Sequence, residues 1–394
     1  MSDAERAADL QKAIEYCAIC PNMCRFDCPV TRAERRESVS PAGKVRLVEM
    51  FRQEMLPRTP DLTRYLYDCA DCRGCETWCP FPEVKVADIM AAARADALSR
   101  GVAPAEVTAL LAGLRRYGHP FASVAPRRLA VSAAPAPRLS PAAPEVVPTL
   151  PERVLFLPGC TATALRPATS EAIAAVLTAA GCDWRTLPEH LCCGAPARTA
   201  GDLQLEAELA SRLTAAIDDS GATAVVAACP GCTESLRLRY AELGLTVAPR
   251  VLHFAEYARE LVEAGRLRLG PTALSSAVYH DPCTMTRRLD ITAAPRAVIA
   301  TVPGLTLQSP RCSGRETHCC GAGGLIAEVR PATAAAITRE RLDELALGVG
   351  AIITTCPMCE HVFTTAQAGD RQPTPVLDLA ELLLQALGGG EADD

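Results

Sequence analysis

Cysteine spacing carries the chemistry of this chain. All but Cys182 and Cys312 of its 20 cysteines fall into four motifs, and these form two related pairs. The outer pair is Cys17-x2-Cys20-x3-Cys24-x3-Cys28-Pro29 and Cys69-x2-Cys72-x2-Cys75-x3-Cys79-Pro80. The inner pair is Cys160…Cys192-Cys193-Gly194…Cys229-x2-Cys232 and Cys283…Cys319-Cys320-Gly321…Cys356-x2-Cys359. Thiolates are soft ligands that favour zinc or iron–sulfur clusters, and a Cys-Pro ending points to clusters. The chain reads as a redox protein with several clusters.

A four-iron cluster takes one thiolate per iron. In two-cluster proteins a C-x2-C-x2-C loop supplies three, and the cysteine before proline reaches across to the other cluster. That rule assigns Cys17, Cys20, Cys24 and Cys79 to one 4Fe-4S cluster and Cys69, Cys72, Cys75 and Cys28 to a second. The first loop departs from the pattern by one extra residue between Cys20 and Cys24. Each inner motif supplies five thiols: Cys160, Cys192, Cys193, Cys229 and Cys232, then Cys283, Cys319, Cys320, Cys356 and Cys359. Adjacent cysteines fit one metal ion poorly but can bind neighbouring irons of a cluster, and Gly194 and Gly321 let the chain turn straight afterwards. Structural zinc sites are the bland alternative for all four motifs, although zinc sites rarely use four cysteines in one tight run before proline.

Composition limits the function further. A formal net charge of −6 gives no reason to expect nucleic acid or an anionic membrane surface as a partner. Arg32, Arg35 and Arg36 read as a solvated helix face, with a basic docking patch as the sharper alternative. The first residues lack the apolar segment of a secretory signal, and no apolar run is long enough to span a bilayer. Peripheral membrane association stays open. Many thiols without an export signal indicate a reducing cytoplasm, where cysteine clusters mean metal or redox chemistry. There is no GxGxxG phosphate loop, so flavin or NAD is not expected on this chain.

The thiols need elements to hold them. Residues 1–118 read as helical: Ser40-Pro41 is a start signal, and helices are expected over Lys44 to Met55, Ala87 to Leu98 and Pro104 to Tyr117. Residues 119–151, rich in Pro, Ala and Ser, read as a linker. The remainder is an internal repeat. Cys192, Cys193, Cys229 and Cys232 each recur 127 positions later, and Val251 to Glu256 recurs as Val376 to Glu381 with an offset of 125. This predicts two homologous α/β domains, 152–270 and 271–394. Strands over Val154 to Leu157 and Ala277 to Tyr279 deliver Cys160 and Cys283. Strands at Val225-Val226 and Ile352-Ile353 deliver the two CxxC motifs. Thiols at strand ends of such units converge on one edge.

The outer motifs, with Ser40-Pro41-Ala42-Gly43-Lys44 between them, resemble the α-helical ferredoxin module of succinate dehydrogenase iron–sulfur subunits and of heterodisulfide reductase. The inner motifs, including His280-Asp281-Pro282-Cys283, resemble the CCG domain. That domain occurs in the catalytic, D-type subunit of heterodisulfide reductase and in the iron–sulfur subunits of glycolate oxidase and anaerobic glycerol-3-phosphate dehydrogenase. Thr284-Met285 departs from the residues usual after the His-Asp-Pro-Cys run.

The resemblance implies a multi-domain α plus α/β protein, with a 4Fe-4S dicluster module followed by two CCG domains that carry further clusters, cubane or non-cubane. It implies electron transfer within an oxidoreductase, with a flavoprotein dehydrogenase or oxidase as partner. The alternative it offers is an enzyme that reduces a disulfide at the CCG clusters, with Cys193 and Cys320 as the catalytic candidates. Cys182 and Cys312 read as inert buried thiols. His190 and His318 read as hydrogen-bond donors to cluster sulfur, His280 as a backbone cap, and Trp78 as cluster shielding.

Overall fold

The computed structural model describes residues 3–121, 152–346 and 348–388. Most of the expected linker, 122–151, lies outside these residues. The chain divides into two compact units that do not follow the order of the sequence. The first comprises Met1–Pro120, Pro196–Glu206 and Cys312–Leu342; the second comprises Phe121–Ala195, Ala207–Arg311 and Asp343–Asp394.

The first unit is helical. Asp3–Ile19 packs on Pro41–Arg52, which packs in turn on Val86–Ser99. Pro41–Arg52 begins as its sequence demands, with the Ser40 hydroxyl accepting from Gly43 N (3.0 Å) and Pro41 at the first helical position. Ala105–Tyr117 ends at Gly118, whose φ of 74° suits a left-handed cap. The two later segments of the chain contribute to this unit. Ile326, Ala334 and Ile337 pack with Cys28, Val30 and Val39. Tyr67 Oη donates to Ala200 O (2.9 Å) and Arg94 to Thr199 O (3.2 Å). Of the basic cluster, Arg32 pairs with Glu340 and Arg36 with Glu34.

The second unit holds two four-stranded parallel sheets. The first consists of β1 (Arg153–Leu157), β2 (Asp183–Arg185), β3 (Ala224–Ala227) and β4 (Arg250–His253), in the order β2-β1-β3-β4. The second consists of β5 (Ser276–Tyr279), β6 (Thr306–Gln308), β7 (Ala351–Thr354) and β8 (Val376–Asp378), in the order β6-β5-β7-β8. The orders are the same, as the repeat requires. The central strands β1, β3, β5 and β7 are continuous apolar runs because both faces are covered.

The repeated Val-Leu-His/Asp-Phe/Leu-Ala-Glu segment is a strand followed by a capped helix. His253 Nδ1 accepts from Ala255 N (3.1 Å), and the Glu256 carboxylate accepts from His253 N (2.9 Å). Asp378 and Glu381 do the same at the second copy.

The two repeats share one core. Phe156, Val176, Leu252 and Tyr257 from the first lie in the same buried cluster as Tyr279, Val298, Ile353 and Leu383 from the second. Helix Pro167–Ala179 packs on Leu379–Gly388, and Phe254–Glu263 packs on Ala293–Ile299. Each contact joins a helix after the first strand of one repeat to the last helix of the other. The exchange is reciprocal, as in an isologous dimer built within one chain.

Candidate functional site

The outer motifs fold into loops at which the backbone turns sharply. Asn22, Asp71 and Arg73 take left-handed φ values of 67°, 51° and 56°. Asn22 is held there by its side chain, which donates to Glu37 (2.7 Å), while its N–H donates to Cys20 Sγ (3.4 Å). The Cys-Pro ending at Cys28 has a direct use: Cys28 is extended and Pro29 opens helix Pro29–Glu34.

These loops bring together two sets of four thiols. Cys17, Cys20, Cys24 and Cys79 line one cavity, with Tyr16, Cys75 and Phe81 also on its wall. Burial pushes the Cys17 thiol up to about 12, helped by repulsion from Cys24, Cys20 and Cys79. Cys24 is also pushed up to about 12, by burial and then by Cys79, Cys28 and Cys20. Burial raises Cys75 well above the ordinary thiol range, and Cys72, Glu76, Cys28 and Cys69 add to it. The sets thus gather Cys79 with the first loop and Cys28 with the second, and Cys24 and Cys28 are neighbours between them. Packed thiolates repel one another and have lost their water, so they need positive charge at their centre. An iron–sulfur cluster fits that donor set.

Large apolar side chains lie in and beside the loops of the first set. Tyr16, Ile19, Met23, Phe26, Trp78 and Phe81 are all exposed. Phe26 meets Trp78 edge-on with centroids 5.2 Å apart, and Tyr16 lies 5.8 Å from Phe81. Trp78 therefore belongs to a wider rim around these thiols.

In the second unit the C-terminal ends of β1 and β3 deliver one inner set. Cys160 follows β1. Cys229 follows β3 and precedes helix Pro230–Glu234, with Cys232 in its first turn. That helix continues as a wide π-turn, Ser235–Arg239, a form common at functional sites. All five thiols are contiguous. Cys192 is hydrogen-bonded to Cys160 and Cys193, and Cys232 to Cys193 and Cys229. Hydrogen bonds from Cys192 and Cys232 hold Cys193 well below the ordinary thiol range. Those from Cys232 and Cys356 do the same for Cys229.

The backbone around this set is fitted closely. Gly159 has φ 75°, and a Cβ there would come within 3.0 Å of Cys232 Sγ. Gly194 turns at φ 83°, as the Cys-Cys-Gly motif requires. Buried Tyr240 donates to Cys193 O (3.1 Å). His253, at the end of β4, has Cys229 among its charged neighbours; burial lowers it to about 4, so the ring is neutral. The sequence marked His253 only as part of the repeat. Its place at a strand end, next to the strand carrying the CxxC motif, was the available signal.

Of the second inner set, Cys283, Cys356 and Cys359 lie in the second unit. Cys283 opens helix Cys283–Arg287 after β5; Cys356 follows β7 and precedes helix Pro357–Ala366, which contains Cys359. Cys356 reaches Cys229 of the other repeat. Cys319 and Cys320 belong to the first unit, where both are buried. There Gly321 N donates to Cys319 Sγ (3.3 Å) and Thr338 Oγ1 to Cys320 O (2.8 Å). Gly321 has φ 94°, and a Cβ would meet Ala334 O and Thr338 Oγ1 at 2.7 Å.

The remaining candidates sit as follows. His318 Nε2 lies 3.5 Å from Asp27 Oδ1, His280 stands edge-on to Phe363, and Cys182 Sγ is 3.8 Å from Tyr257 Oη. Cys312 accepts through its carbonyl from Arg341 (3.1 Å). Among the described residues, no helix is long and apolar enough to cross a membrane.

Comparison with known proteins agrees with this architecture. A 4Fe-4S dicluster domain matches residues 13–82, and a cysteine-rich domain, CCG, matches residues 154–237 and 277–364. The chain is 26% identical over 330 residues to the D-type subunit of dihydromethanophenazine:CoB–CoM heterodisulfide reductase from Methanosarcina barkeri, covering 82% of this chain and 78% of that protein. It is 26% identical over 233 residues to the B-type subunit of fumarate reductase (CoM/CoB) from Methanothermobacter marburgensis, covering 59% of this chain and 46% of that one. It is 25% identical over 340 residues to EtfAB:quinone oxidoreductase of Syntrophomonas wolfei, covering 82% of this chain and 46% of that one. A crystal structure of a hypothetical protein from Helicobacter pylori shares the fold, with a TM-score of 0.57 at 12% identity over 100% of this chain and 74% of that one. The chain is an iron–sulfur redox protein that joins a 4Fe-4S dicluster domain to a duplicated CCG domain, and it is distantly related to the D-type subunit of heterodisulfide reductase and the B-type subunit of fumarate reductase.

Proposed function

We propose that this chain is the electron-conducting subunit of a cytoplasmic oxidoreductase, taking electrons from a flavoprotein partner and passing them to its CCG sites. The observation that carries the reading is the pairing of the N-terminal thiols into two neighbouring sets, one of them rimmed by exposed aromatic and aliphatic side chains. Bound 4Fe-4S clusters supply one-electron redox chemistry there. The residues do the rest. Cys17, Cys20, Cys24 and Cys79 hold the outer cluster, and Cys28, Cys69, Cys72 and Cys75 hold the inner one. The rim of Phe26, Trp78 and Phe81 excludes water and gives a partner an apolar seat beside the outer set. The relative in Syntrophomonas wolfei is named as an oxidoreductase between EtfAB and quinone, which favours a flavoprotein donor.

A second reading, reduction of a disulfide, is favoured by the contact between Cys229 and Cys356. That contact sets the CxxC motifs of the two repeats side by side, and the relative in Methanosarcina barkeri is named as part of a heterodisulfide reductase. Stopped-flow reoxidation of the dithionite-reduced protein separates the readings. Low-molecular-weight disulfides should not reoxidise it rapidly, and a reduced electron-transferring flavoprotein should rapidly reduce the oxidised protein. Rapid reoxidation by a disulfide that is lost in Cys193→Ala or Cys320→Ala would replace the first reading with the second.

A further inference from the structure

The motif Ser40-Pro41-Ala42-Gly43-Lys44 has a use beyond starting a helix. Gly43 lies so close to the preceding turn that a Cβ would fall 2.3 Å from Glu37 O and 2.8 Å from Ser38 O. With the Ser40 cap, this close approach fixes the first turn, and the next residue points inward. Lys44 is almost fully buried, at 3% exposure. Its Nζ donates to Asp68 O (2.8 Å) and to Cys28 Sγ (3.5 Å).

A buried ammonium is costly unless anions surround it. The nearby carboxylate of Asp68 is hydrogen-bonded to Arg330 (2.8 Å). The sulfurs of Cys28, Cys69 and Cys75 also face Lys44. The other thiol set is different. The cation acting on Cys17 is Arg46, whose guanidinium donates to Ala18 O (3.1 Å) and whose influence is the weakest of those on that thiol.

We infer that Lys44 is a positioning residue for electron transfer: it raises the reduction potential of the site formed by Cys28, Cys69, Cys72 and Cys75, so that this site is reduced before its neighbour. The inference rests on the reading that these four cysteines hold an iron–sulfur cluster. Adding an electron makes a cluster more negative, so a fixed cation beside its ligand sulfur stabilises the reduced state. Net charge and hydrogen bonds to sulfur are the protein's levers on cluster potential. An electron entering at the set of Cys17, Cys20, Cys24 and Cys79 would then come to rest on the set beside Lys44.

The test is an EPR-monitored redox titration of the full-length holoprotein, with dithionite as reductant. In the wild type, the signal with the higher midpoint should be the one lost in Cys69→Ala. Lys44→Met should lower that midpoint by at least a factor of ten in the reduction equilibrium, about 59 mV for one electron, and leave the other unchanged. Lys44→Arg should keep most of the wild-type value. Lys44→Met that retains its iron with both midpoints unmoved would overturn the inference. Should Lys44→Met not retain its iron, the wild-type order decides, because finding the Cys69-dependent signal at the lower midpoint would overturn it equally. Iron analysis separates these outcomes from failure of the underlying reading, which would appear as a wild-type chain without iron at these cysteines.

Discussion

Arg288, in the second repeat, makes a buried ion pair with Glu234, in the first. The exchange is returned: Arg166 of the first repeat pairs with Glu360 of the second, and Thr169 Oγ1 adds a hydrogen bond to Glu360 (2.6 Å). Each arginine lies shortly after the lone cysteine of its repeat, and each glutamate lies one or two residues after the CxxC motif of the other. The two repeats are thus locked together beside the thiols, where Cys229 meets Cys356.

Breaking one pair should therefore be expensive. Glu234→Gln removes the negative charge paired with the Arg288 guanidinium and should cost about 3–5 kcal/mol. The double variant Glu234→Leu/Arg288→Met should recover much of that loss, because an apolar pair removes both desolvated charges. Anaerobic denaturant unfolding of the three proteins measures it, and equal stability of Glu234→Gln and wild type would contradict the structure.

Gly324 tests whether the later chain supports the N-terminal loops. It has φ 68°, and a Cβ there would fall 1.9 Å from Cys69 O. Gly324→Ala should displace the Cys69 loop and reduce the iron held by the second N-terminal set. EPR should show that signal diminished, with the signal assigned to Cys17, Cys20, Cys24 and Cys79 retained.

Gly159→Ala addresses the first CCG site. The new Cβ meets Cys232 Sγ in a backbone conformation that disfavours any side chain. Iron content should fall by about one cluster per chain. The N-terminal EPR signals should persist, because their ligands lie in the other unit. Full iron content in this variant would remove Cys232 from the proposed ligand set.

Reconstitution should release protons. Cys17 and Cys24 are pushed up to about 12 by burial and by their neighbours, so the apo-protein carries them as thiols at neutral pH. Metal ligation requires thiolates. Anaerobic reconstitution followed by pH-stat should show proton release, and its rate should rise with pH from 7 to 9.

Much of this organisation was legible in the residues. Cysteine spacing marked four motifs, and the 127-residue offset gave the duplication, because metal ligation and tandem repetition both leave fixed distances in a sequence. The central strands followed from their β-branched runs. The edge strands β2 and β6 did not, because Asp183-Trp184-Arg185 and Thr306-Leu307-Gln308 are short, polar and partly exposed. The reciprocal Arg–Glu pairs escaped because their partners are far apart in sequence. So did the membership of Pro196–Glu206 and Cys312–Leu342 in the N-terminal unit, which a reading by linear segments cannot reveal. Lys44 was visible as part of a turn, but its contact with Cys28 depends on the helix position set by Gly43.

The most direct test of the account is metal and sulfide analysis of anaerobically purified protein, together with its visible spectrum before and after dithionite. Four complete cysteine motifs predict brown protein with about 16 irons per chain and a matching amount of acid-labile sulfide, its absorption bleaching on reduction. Colourless protein containing stoichiometric zinc, with no change on adding dithionite, would contradict it.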